Sequence, residues 1–121
     1  MPTFSRQDAS IYYEVRGEGE PLLAIAGLAS DSQSWGAGAA MLARSRQLIL
    51  IDNRGCGRTH GSYCGISVTD LADDCAALLT HLGVAQAAVL GHSMGGFVAM
   101  ELALRHRERV SRLVLAATVA A

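Results

Sequence analysis

The chain has 121 residues, half of them hydrophobic, and a formal net charge of -1. That length holds one domain at most, with enough apolar content for a buried core, so a disordered chain is excluded. All ten cations are arginine, and without a strong basic field nucleic acid is not an expected partner.

The first expected elements are extended. A short strand is placed at residues 3–6, and residues 10–16 (SIYYEVR) combine partial alternation with β-favouring side chains. The cluster Gly17-Glu18-Gly19-Glu20-Pro21 then reads as a turn. Residues 22–26 (LLAIA) form a short continuous apolar run closed by Gly27, the pattern of a strand covered on both faces. Residues 47–52 (QLILID) repeat it, as do residues 87–90 (AAVL) and 112–117 (RLVLAA).

Helical spacing fills the intervals. Between residues 34 and 44 a helix is expected to be short and weak, because Gly36 and Gly38 each cost about 1 kcal/mol relative to alanine. From Ser67 onward, Leu71, Cys75, Leu78, Leu79 and Leu82 recur at three to four residues. Ser67-Val68-Thr69-Asp70 resembles a capping box and Gly83 supplies the stop. A further helix, largely buried through Phe97, Met100, Leu102, Ala103 and Leu104, should run to about Arg107. Arg105, Arg107, Arg109 and Arg112 surround its end, where cations complement the macrodipole.

Strands alternating with helices imply an α/β fold with a mostly parallel sheet, whose right-handed crossovers bring the C-terminal strand ends to one rim. Gly27, Asp52 and Ser93 all lie just past strand ends. They should meet there.

Ser93 is the centre of the pentad Gly91-His92-Ser93-Met94-Gly95, set between an apolar run and a helix-like stretch. A strand that turns into a helix within so few residues forces the serine into a strained bend with its hydroxyl outward. Gly91 is expected to admit a neighbouring strand, and Gly95 and Gly96 to clear the backbone where the helix packs down. His92 is read as packed behind the bend, since neighbours in a sharp turn point in different directions. Asp52 and Arg54 are read as holding their own Gly-rich turn, Cys56 as a small loop residue, and Trp35 as a candidate wall of a substrate pocket.

Three separated motifs carry a resemblance to the α/β-hydrolase family: Ala26-Gly27-Leu28, then Asp52-Asn53-Arg54-Gly55-Cys56-Gly57-Arg58-Thr59, then Gly91-His92-Ser93-Met94-Gly95-Gly96. Their order and spacing resemble the N-terminal half of that family, from Ile11 onward. The resemblance implies a single partial α/β-hydrolase domain over residues 1–121, truncated after about the sixth strand, with later strands and cap absent. It implies that Ser93 attacks an acyl carbonyl and that the backbone N–H groups of Leu28 and Met94 form the oxyanion hole. Many members carry His-Gly where this chain has Ala26-Gly27.

The family's acid and histidine follow the serine in sequence. Here the downstream candidates are Glu101, Glu108 and His106. At 1.5 Å rise per residue, Glu101 lies about 12 Å and His106 about 20 Å along the helix, away from the rim. His60 has the only other route toward Ser93. The triad acid and base are therefore expected outside this chain, and the last apolar strand is expected to pair with a second copy or a complementing C-terminal half.

The function implied is a serine hydrolase acting on an ester, lactone or thioester of a small organic acid, a small-molecule acyl substrate, through an acyl-enzyme at Ser93, with little activity as a fragment. A perhydrolase or acyltransferase on the same fold, or a non-catalytic binding fragment, are the alternatives. Cys56, Cys64 and Cys75 are odd in number and lack C-x-x-C spacing, so neither a disulfide framework nor a metal site is expected, and a reducing compartment fits. The N-terminus has no apolar signal core and no apolar run reaches the ~18 to 20 residues needed to cross a bilayer. A cytoplasmic chain without cofactor is the expectation.

Overall fold

The computed structural model describes residues 2–6, 9–26, 36–53, 59 and 67–116. Its sheet is built on β3 (Glu20–Ile25), β4 (Arg46–Ile51), β5 (Ala87–His92) and β6 (Val110–Ala116), preceded by β1 (Thr3–Arg6) and β2 (Ala9–Arg16). The order is β1-β2-β4-β3-β5-β6. β3 runs parallel to β4 and to β5, and β5 parallel to β6, while β2 is antiparallel to β1 and β4. Parallel neighbours need crossovers, and α1 (Gly36–Leu42), α2 (Val68–His81) and α3 (Met94–Arg105) lie within them. The expected α/β sheet, mostly parallel and flanked by helices, is the one observed.

The continuous apolar runs are explained by two covered faces. Leu23 and Ile25, Ile49 and Ile51, and Ala87 and Val89 point to the core shared with α2 and α3. The alternate residues Leu22 and Ala24, and Leu48 and Leu50, pack with Ala39 of α1 on the other face. Cys75 lies wholly inside the first core, where burial, with a smaller contribution from the nearby Asp74 charge, pushes its thiol far up. Cys56 and Cys64 lie outside the described residues.

The capping box at the start of α2 is complete. Ser67 accepts from the Asp70 amide at 3.2 Å, and the Ser67 amide donates to the Asp70 carboxylate at 2.9 Å. Two expectations for the later part of the chain are corrected. α3 ends at Arg105 and is followed by a 3₁₀ turn at Arg107–Arg109, because His106 has left helical geometry at φ -130°, ψ 55°. Leu104 is 73% exposed, since the face of α3 buried against α2 and the sheet is that of Val98, Ala99 and Leu102.

β6 has the composition of a covered strand and does not have the burial of one. Leu113 and Val114 are exposed, and its described pairing is with β5 alone. Among the described residues, no helix is long and apolar enough to cross a membrane.

Candidate active site

Register places the rim of the site. Ile25 is opposite Ile51 on one side and Gly91 on the other, so Ala26, Asp52 and Ser93 all leave the sheet at the same end. Asp52 is buried there and its amide donates to the Tyr12 carbonyl at 3.0 Å. The Thr59 hydroxyl donates to the Asp52 carbonyl and accepts from the Tyr12 amide. The end of β4 is thus clamped to β2 through one side chain.

At the end of β5, Ser93 adopts φ 57°, ψ -125°, and among the described residues no other non-glycine residue has positive φ. An L-residue there carries of order 1–3 kcal/mol of strain, which the surroundings must impose. They do so from both sides: the Ser93 amide donates to the Ala116 carbonyl of β6 at 3.0 Å, and the Ser93 carbonyl accepts from the Gly96 amide at 2.9 Å.

The two pentad glycines are required by close approach, Gly95 as expected and Gly91 for a different neighbour. A Cβ on Gly91 would lie 2.7 Å from the Gly96 Cα and 2.8 Å from the Ala99 Cβ, so it is α3, not a neighbouring strand, that Gly91 admits. A Cβ on Gly95 would lie 2.6 Å from the Ala26 carbonyl oxygen, at the end of β3. The helix start is therefore pressed against the central strand. Met94 and Gly95 open α3, and N–H groups in a first helical turn have no acceptor within their helix.

His92 is exposed, not packed. It continues the series Ala88, Leu90 and His92 along one face of β5, and the helix described on that face, α1, lies against β4. Leu28, Trp35, Arg54, Cys56 and His60, together with Gly27, lie outside the described residues.

Two of the downstream candidates, Glu101 and His106, are engaged with α2. Glu101 accepts from the Thr69 hydroxyl at 2.8 Å, and the His106 Nε2 meets Asp73 at 2.8 Å. Arg105 makes two further bonds to Asp73 at 3.1 Å, and this guanidinium, then His106, holds the Asp73 carboxyl below its ordinary value. Arg109 binds the Val84 and Ala85 carbonyls and the Thr80 hydroxyl. Arg105 and Arg109 therefore join α3 and the turn after it to α2, a role more specific than complementing a helix dipole.

Beneath the elbow is a cavity of about 20 Å³, walled by Val68, Leu71 and Val98 and reached by Asn53, Met94 and Gly95. Asn53 is 5% exposed. Neither it nor Thr59 was singled out by sequence reasoning, although both stand in the Gly-rich motif after β4. No three of the described His, Cys, Asp and Glu residues converge as a metal site.

Residues 20–121 match the alpha/beta hydrolase fold family. The chain belongs to that family. This α/β-hydrolase chain is 40% identical over 115 residues to a protein of Azorhizobium caulinodans provisionally named carbamate hydrolase RutD, covering 95% of the chain and 43% of that relative. Among solved structures it is similar to a hydrolase from Pseudomonas aeruginosa PA01, with a TM-score of 0.94, 31% identity, and coverage of 98% of the chain and 46% of the other. It is also similar to an N-acyl homoserine lactone degrading enzyme, with a TM-score of 0.92, 32% identity, and coverage of 97% and 45%. The chain spans less than half the length of each of these relatives.

Proposed function

We propose that Ser93 is the nucleophile of a serine hydrolase that acts on an ester, lactone or thioester of a small organic acid. The observation that carries this reading is the positive φ of Ser93 at the β5–α3 junction, strain held by two backbone hydrogen bonds and two obligatory glycines. Strain of this kind is retained where it presents a group for chemistry. The relatives named for carbamate hydrolysis and lactone degradation support an acyl substrate.

In the proposed reaction the Ser93 Oγ bonds to the acyl carbon while its proton passes to a base, and the carbonyl oxygen becomes negative. The amides of Met94 and Leu28 receive that oxygen, each donor contributing about 3 kcal/mol to transition-state stabilisation. Collapse breaks the bond to the alcohol or thiol, which leaves with the proton. Water then attacks the acyl-enzyme and restores Ser93.

The base and its acid are proposed to come from a complementing segment that docks on β6, because Glu101 and His106 are engaged with α2 and Leu113 and Val114 expose apolar surface. Turnover by this chain alone is then expected to be small. The test is fluorophosphonate labelling of the complete enzyme followed by mass mapping. Modification at Ser93, absent in Ser93→Ala, supports the reading; a folded, complete enzyme left unmodified at Ser93 rejects it.

A further inference from the structure

The Asn53 side-chain oxygen is an acceptor without a hydrogen-bond partner among the described residues. Asn53 stands directly after Asp52 at the end of β4, is 5% exposed, and has its Oδ1 buried with no hydrogen-bond partner among the described residues. A buried amide oxygen in that position loses its hydration without recovering it, and natural folds rarely tolerate this without a ligand or a water. The same residue reaches the cavity beneath the elbow, whose described wall is otherwise apolar: Val68, Leu71 and Val98 contribute no polar side-chain atom. At about 20 Å³ the cavity has room for a water or a group of similar size and no more. Met94 and Gly95 also line it, which places it next to the bend that carries Ser93.

We propose that Asn53 makes this cavity a subsite for one small hydrogen-bond donor, an O–H or N–H group, beside the acyl group held at Ser93. The position beside an acyl group rests on the hydrolase reading; the donor preference of the cavity does not. Two sources share this chemistry, a resident water and a hydroxyl or amino substituent next to the substrate carbonyl. A charged group is disfavoured, because the described wall residues offer no counter-charge. A methyl group of the same size fits sterically but leaves Oδ1 unpaired, so the subsite discriminates by hydrogen bonding more than by shape.

Two measurements on this chain separate the sources. One is the cross-relaxation between water and the Asn53 side-chain amide protons in a ¹⁵N-labelled sample. The other is titration with hydroxyacetamide and propionamide, which differ by O–H against CH₃, followed through the Asn53 and Gly95 signals. A preference of about tenfold for hydroxyacetamide, lost in Asn53→Leu, assigns the site to a substrate donor. Equal response to both amides with a long-lived water contact at Asn53 assigns it to a resident water. No water contact and no preference in the wild-type chain overturns the proposal, whatever the folding of the variant. Since neither readout needs turnover, loss of Ser93 labelling in the complete enzyme alongside a retained preference would sink the hydrolase reading and leave this one standing.

Discussion

The amide of Ser93 donates to the carbonyl of Ala116 at 3.0 Å. The bend that presents the candidate nucleophile is therefore tied to β6, a strand whose outer side is exposed. Local stability at the bend should follow the stability of that strand. In hydrogen exchange, the Ser93 amide is expected to exchange together with β6 amides and well ahead of Ile49 in the sheet centre. Leu115→Asp, which places a charge where β6 meets the core, should accelerate Ser93 at least about tenfold while leaving Ile49 within about threefold. Ser93 protection that persists when β6 opens would show that the bend is held from the α3 side alone.

Gly95→Ala tests the contact between α3 and β3. The added methyl would meet the Ile25 and Ala26 carbonyls, which are backbone atoms of a central strand and cannot rotate aside. Either α3 retreats from the sheet or the bend relaxes. The expected cost is about 3 kcal/mol or more, read by urea denaturation, with loss of fluorophosphonate labelling in the complete enzyme. Gly38→Ala is the control, since no atom lies near its added methyl and its φ is not in the left-handed region; it should stabilise α1 by up to about 1 kcal/mol.

What the sequence revealed and what it concealed divide along a physical line. Residues 22–26 and 47–52 could be assigned because a strand buried on both faces must be apolar at every position. The start of α2 could be assigned because Ser67 and Asp70 satisfy backbone donors within their own turn. Positions decided by a distant neighbour were not legible. Gly95 was recognisable as clearing the backbone under the helix, yet that Gly91 admits α3 and not a strand depends on how α3 docks. Leu104 and His92 have ordinary core-compatible neighbours in sequence, and only the absence of a covering element among the described residues exposes them. Thr59 and Asn53 carry no signal of their own within the Gly-rich motif; one is a bridge between β2 and β4, the other a buried acceptor unpaired among the described residues.

The Asp73 cluster gives a pH dependence with a defined sign. Hydrogen bonds from Arg105 and then His106 lower the Asp73 pKa from its ordinary 3.8. A carboxyl whose folded value lies below its unfolded value stabilises the fold at all pH above the unfolded value, and that contribution disappears as pH falls through the folded one. Asp73→Asn should therefore lower the melting temperature at neutral pH by a few degrees. The difference from wild type should hold at pH above the ordinary carboxylate value and shrink as pH falls below it. Because Asp73 and Arg105 are solvent-accessible, high salt should shrink the effect as well. A difference that grows on acidification would contradict the assignment of Arg105 as the dominant partner.

Arg6 and Asp74 form one of the contacts that hold β1 to α2, beside the stacking of Phe4 on His81. The Arg6 Nε lies 2.6 Å from the Asp74 carboxylate, whose side chain is only 2% exposed, whereas the Arg6 side chain is 26% exposed. The two ends are thus unequal: removing Arg6 strips a compensating charge from a buried carboxylate, while removing Asp74 leaves an arginine that can turn to water. Arg6→Met should cost about 2 kcal/mol, below the 3–5 kcal/mol of a fully buried pair because Arg6 is partly hydrated and Asp74 keeps other interactions. Asp74→Asn should cost less, since a neutral amide still accepts from Arg6, and the double variant should fall short of the sum of the two. Additive costs in this cycle, measured by chemical denaturation, would mean that the short contact contributes no coupling and that β1 is held by Phe4 and Ile11 in the core instead.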